Sequence, residues 1–290
     1  MKASVSSWFI LIILSVVWGS SFILMKRGME TFSSGEVAGL RIGIAFLFLA
    51  PLYFKKQNIN FKKNWKGLAL MGVLVNLLPA FLFTKAETQI SSSLTGMLNA
   101  LTPLFTIVVS FFWFKTKFKS IQVTGIISGL FGAMLLLFFN EGGDATTNVM
   151  FSLLVVLATV FYALSINGIK HYLSGMNSVS ATLGAFTITG PIALVYLFTQ
   201  TDFVNDLKTN SVALKSFGYI CLLAVVGTAL SVIIYNTLIK DAGTLFASTC
   251  TYLIPVVAVV WGLLDGETVN FIQMAGVLVI ILSVYLINRR

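Results

Sequence analysis

The sequence predicts an all-α polytopic membrane protein, with ten transmembrane helices in two inverted five-helix repeats. Three observations carry that expectation. The chain is 57% hydrophobic and only 10% charged, with a mean hydropathy of +0.94, a balance foreign to a soluble chain of 290 residues. Its apolar residues fall into ten runs, each near the length of about 20 residues that crosses a bilayer. Residues of the fourth run also recur in the ninth: Ser92, Gly96, Asn99 and Pro103 map, at a constant offset of 152, onto Thr244, Ser248, Thr251 and Pro255.

The first run, 5–25, follows Lys2 and precedes Lys26 and Arg27. It mimics a signal peptide but lacks a small-residue cleavage site, so it reads as a retained helix. The second, 37–54, carries Arg41; the third, 65–84, carries Asn76 and Pro79. The fourth, 91–114, has no charge yet places Ser91, Thr95, Asn99, Thr102, Thr106 and Ser110 at steps of three or four, with Pro103 in its middle. Such a polar stripe must face something other than lipid. In the fifth, 120–139, Gly125, Gly129 and Gly132 suit close helix packing. The sixth, 148–169, brings Tyr162 and Ser165, and the seventh, 178–199, a proline at 191. Ala224, Thr228, Ser231 and Tyr235 form one face of the eighth, 215–238, with Asn236 beside it. The ninth, 243–264, and tenth, 269–288, flank Asp265-Gly266-Glu267.

Further matches extend the repeat. Asn76 maps onto Thr228 and Phe83 onto Tyr235 at the same offset, Gly125 onto Gly276 after a one-residue shift, and Trp18, Ser21 and Lys26 onto Tyr162, Ser165 and Lys170 at an offset of 144. The expected units are 1–143 and 144–290. Because five is odd, the second enters the membrane from the opposite side, as in secondary transporters.

The net charge of +9 reports orientation rather than a nucleic-acid partner. With the N-terminus inside, thirteen of the 19 Lys and Arg, including Lys55, Lys56, Lys62, Lys63, Lys115, Lys117 and Lys119, lie on the inner side. Both termini are therefore expected in the cytoplasm, in the plasma membrane of a bacterium. Cys221 and Cys250 sit in apolar runs without metal spacing, and His171 is alone. There is no P-loop, HExxH, GxGD or GxSG motif, so neither a cofactor, nor direct ATP coupling, nor an enzyme is expected. No Asp or Glu falls near the centre of a run, which argues against proton coupling through a central acid.

The candidate substrate-binding residues are Trp18, Ser21, Asn76, Asn99, Thr102, Tyr162, Ser165, Thr228, Tyr235 and Thr251, a set of aromatic walls and neutral hydrogen-bonding groups suited to a small polar or amphipathic solute. Lys26, Arg41 and Lys85, with Glu36 and Glu87, gather at outer helix ends, where they form a gate of ion pairs or simply snorkel to the interface. Pro103 and Pro255 are candidate hinges, static kinks being the plainer reading. The expected activity is alternating-access transport; a channel, a non-transporting receptor and an intramembrane enzyme are the alternatives. The expected partners are the solute and membrane lipid; the oligomeric state is left open, and a monomer could suffice.

The Trp18-Gly19-Ser20-Ser21-Phe22 run, Lys26, Arg41, Leu101-Thr102-Pro103 and Asp265-Gly266-Glu267 resemble the EamA-type permeases of the drug/metabolite transporter superfamily, along essentially the whole chain. The resemblance implies an inverted duplication, cytoplasmic termini and transport of small metabolites, often export of amino acids or related compounds. It also implies a cavity surrounded by helices one to four and six to nine. One departure stands out: the first-half counterpart of Asp265-Gly266-Glu267 is Trp113-Phe114-Lys115, which lacks the acids.

Overall fold

The computed structural model describes residues 5–54, 59–115, 120–139, 145–173, 175–242 and 250–288. Among these residues there is no strand, and the helices follow the ten predicted runs to within a few residues at each end, save the start of the ninth at 243–249, which lies outside the described residues. We number the spans α1 (Val5–Gly28), α2 (Ser34–Leu49, continued by a 3-10 turn over Ala50–Phe54), α3 (Phe61–Ala86), α4 (Ser92–Asn99 and Thr102–Phe114), α5 (Ser120–Phe138), α6 (Ala145–Tyr172), α7 (Ser178–Gln200), α8 (from Ala213–Ala224 through Ser231–Ala242), α9 (Cys250–Leu264) and α10 (Phe271–Asn288). Eight are long and apolar enough to cross a membrane, and α9 and α10 are shorter apolar helices. The repeat positions Thr244 and Ser248 lie outside the described residues, as does the side chain of Asn236.

Helix starts follow local chemistry. At α2 the Ser33 side chain accepts from the Glu36 N–H while Glu36 accepts from the Ser33 N–H, a reciprocal capping box that absorbs one of the candidate gate acids. Asn270 and Gln273 make the same exchange at α10. Ser91 caps α4 through the Leu94 N–H. A short helix, Phe203–Thr209, lies where the sequence reading placed only a loop.

Two spans are regular in neither half. α3 opens into a π-helical turn over Gly72–Leu77 and α8 into one over Val225–Leu230, with Asn76 and Thr228 inside them. α4 does not run unbroken as the sequence reading had it; it pauses at Ala100 and Leu101, one turn before its proline takes hold. Pro103 has no N–H to donate, and its ring would collide with the carbonyl of Asn99. The Thr102 hydroxyl donates to that carbonyl instead, at 2.9 Å.

The helix neighbours exchange when the halves are exchanged. α1 packs on α8 and α9 as α6 packs on α3 and α4, while α2 meets α7, α4 meets α9 and α5 meets α10. The α5–α10 pair stands to one side of the other eight, joined at Gly132 and Gly276, where a Cβ on Gly132 would lie 2.8 Å from the Gly276 carbonyl oxygen. The glycines of α5 therefore serve packing, and Phe131 and Leu282 point away from it, 57% and 60% exposed. α1–α4 and α6–α9 remain to enclose a centre.

Candidate functional site

The centre is a cavity of about 20 Å³, lined by Arg41, Ile42, Val75, Asn76, Ala80, Tyr162 and Thr228, with room for about one water molecule. Both π-helical turns face it, which explains their place: a widened turn releases backbone and re-aims the side chains it carries. Arg41 stands in this wall rather than at a helix end. Its Nε donates to Thr228 Oγ1 at 3.0 Å and one terminal nitrogen lies 3.6 Å from Met25 Sδ, so it ties α2 to α8 and α1 without a carboxylate within ion-pair distance among the described residues. Asn76 is 8% exposed, and its Nδ2 has no partner among the described residues. A buried carboxamide donor of that kind is costly to leave unmade.

The other proposed residues divide into groups. Trp18 stacks at a tilt on Tyr235, with ring centroids 5.1 Å apart, and donates Nε1–H to the Gly227 carbonyl at 3.2 Å. Ser21 lies beside the same glycine, whose missing side chain permits the approach of α1 to α8. Tyr162 continues into an aromatic row with Phe83 and Phe22, each centroid 5.9 Å from the next. Asn99 and Thr102 serve the break in α4 and do not line the cavity. Ser165 is fully buried and Thr251 partly buried, both outside the cavity lining. The sequence reading passed over Asn167, whose Nδ2 donates to the Thr106 carbonyl at 3.0 Å and so ties α6 to α4 beyond the break.

A second assembly closes one end of the bundle. Lys26 Nζ lies 2.6 Å from Asp265 and 2.7 Å from Glu267, and Arg27 pairs with both Asp265 and Glu30. Glu267 also accepts from the N–H and hydroxyl of Ser92 and of Ser93, at 2.6 to 3.0 Å. One carboxylate thus caps the start of α4, where the helix dipole favours negative charge, and holds the end of α1. Burial alone would raise its pKa, but the bonds from Lys26, Ser93 and Ser92 outweigh this and hold it down at about 2. We call this network the latch. Lys85 is not in it: that side chain is exposed, with its Nζ 6.0 Å from the Phe151 ring. Pro255 is buried inside α9.

The comparisons with known proteins agree with this architecture. The family model described as the EamA-like transporter family matches residues 6–138 and again 150–289. The chain is 28% identical over 279 residues to the uncharacterized inner membrane transporter YedA of Escherichia coli strain K12, covering 95% of this chain and 88% of that one. It is 26% identical to an uncharacterized transporter of Archaeoglobus fulgidus over 284 residues, 98% and 99% of the two chains. A protein of known crystal structure shares the fold with a TM-score of 0.64 at 13% identity, over 97% of this chain and 96% of that one.

Proposed function

From the premise that this chain belongs to the EamA-like transporter family, we propose that it is a secondary carrier in the plasma membrane, with both termini cytoplasmic, that exports small polar or amphipathic metabolites such as amino acids by alternating access. The observation that carries the reading is the cavity at which Arg41, Asn76, Tyr162 and Thr228 converge from both halves of the chain. We read those halves, 1–143 and 144–290, as inverted repeats; the exchange of helix neighbours and the matched π-helical turns support this. At about 20 Å³ the cavity admits no metabolite, so the form described is closed and the solute enters when the halves rock apart.

Arg41 adds a preference that neutral groups alone would not supply. A guanidinium in a nearly dry wall binds a carboxylate strongly and in a fixed orientation. That favours acids and amino acids over uncharged solutes, with Tyr162 and Asn76 completing the wall.

A thermal-shift screen of the purified protein against amino acids and other carboxylate metabolites identifies binders, since a ligand of the folded state raises its apparent stability. Counterflow of the best binder in proteoliposomes then tests transport. Failure of every solute to move, with or without an ion gradient, would overturn the carrier reading.

A further inference from the structure

Glu87 caps the end of α3. It is 8% exposed, and neither carboxylate oxygen has a hydrogen-bond partner among the described residues. An ionised carboxylate removed from water without a partner is so unfavourable that it takes up a proton instead. The groups that act on it come from three elements: Lys26 of α1, Arg41 of α2 and Glu267 of the latch. Tyr162 of α6 faces the same Arg41, Glu36 is engaged in its cap, and Lys85 is exposed. The two nearby cations are committed elsewhere, Lys26 to the latch acids and Arg41 to Thr228.

We propose that Glu87 is a proton-binding site whose occupancy is linked to closure of the latch end of the carrier. In the closed form the carboxyl is shut between the latch and the cavity and holds a proton taken from the solvent at that end. Opening the latch lets water reach the carboxyl, which loses that proton and becomes an anion.

The sign follows from burial. Burial first, and the negative charge of Glu267 second, push the closed-state pKa of Glu87 well above the ordinary carboxylate range, with Arg41 and Lys26 only opposing. In the open, hydrated form the value falls back toward about 4.3. Closing therefore takes up a proton between the two values, and acid favours the closed form there. The latch is not the sensor, because Glu267 stays ionised down to about pH 2.

The test uses the full chain with Cys221→Ser and Cys250→Ser, and Thr95→Cys as a reporter, since Thr95 is fully buried one turn into α4 beneath the latch. Labelling by a bulky hydrophilic maleimide is followed between about pH 5 and pH 9 and normalised to the same thiol in unfolded protein. The expected result is labelling that climbs with pH, by at most about tenfold per unit, and that becomes low and flat in Glu87→Gln. A flat profile with Glu87 intact, or an unchanged slope in Glu87→Gln, would overturn the proposal. If Glu87→Gln is not recovered folded, the profile with Glu87 intact decides alone. The site rests on the carrier reading but fails separately: transport with flat labelling removes the proton site, and pH-linked labelling without transport removes the carrier.

Discussion

The turns that follow α4 and α9 hold matching places in the two halves and are built oppositely. After α9, Gly266 takes the left-handed conformation at φ 83°, and Asp265 and Glu267 on either side reach across to Lys26, Arg27, Ser92 and Ser93. After α4, the left-handed residue is Lys115 itself, at φ 51° and exposed. A side chain there costs about 1–2 kcal/mol that glycine avoids, and a cation stands where the second half has an acid. Among the described residues, two halves of like helix packing thus differ at this turn. If the carrier works by the proposed rocking of its two halves, like packing allows it to rock either way and the unlike turns decide which end rests shut.

The largest effect should come from Glu267→Gln. The amide keeps the shape but gives up the charge that holds Lys26 and the start of α4, so the loss is expected to be about 2–3 kcal/mol, below the 3–5 kcal/mol of a fully buried pair. The reduction is required because the Lys26 side chain is 38% exposed. Glu267 has a depressed pKa, so its contribution is complete above the ordinary carboxylate range and fades as pH falls toward about 2. Melting temperatures of the two proteins should therefore differ at neutral pH and converge in strong acid. A gap that did not narrow would mean that packing, not charge, fastens this end.

Lys115→Glu sharpens the comparison from the other side. It supplies, at the sequence counterpart of Glu267, the acid that the first half lacks, and leaves the left-handed backbone as it was. The expected outcome is a carrier fastened at both ends, with turnover in proteoliposomes several-fold slower and little change in melting temperature. Undiminished turnover would show that the acid-bearing turn does not set the resting end.

The ten spans were legible because burial in lipid writes itself as long apolar runs, whereas the peripheral place of the fifth and tenth came only with the family resemblance. The cavity was half legible. Asn76, Tyr162 and Thr228 announced themselves as polar groups near mid-span, and the structure brings them together. Arg41 was assigned to a gate because its charge lies near one end of the run, and only the packing of α2 against α8 shows it turned inward onto Thr228. Asn99 was taken for a cavity residue, yet its carbonyl is freed by a proline four residues on and satisfied by its own neighbour, Thr102. Glu87 was grouped with interfacial charges, since no pattern in one sequence reveals that a helix-end acid is buried without a hydrogen-bond partner among the described residues.

The smallest expected effects concern the two π-helical turns, which share a place and differ in cause. In α3, Pro79 follows the turn and has no N–H for the carbonyl of Val75, so the regular helix is lost for want of a donor. In α8 there is no proline; the Thr228 hydroxyl donates to the Leu223 carbonyl at 3.1 Å and Ser231 to Val226 at 2.5 Å, each five residues back, so side chains hold the widened turn open. Pro79→Ala restores the donor and lets α3 tighten, withdrawing Asn76 from the cavity, with a stability change of about 1 kcal/mol or less. Thr228→Val removes one of the two hydroxyl bonds and the partner of Arg41, at about 1 kcal/mol, and loosens the guanidinium proposed to orient the solute. Solute affinity should then fall in both variants, and further in Thr228→Val. If Pro79→Ala weakened binding more, the turn in α3 would be the one that shapes the cavity, and Arg41 would keep its position through the surrounding helices without Thr228.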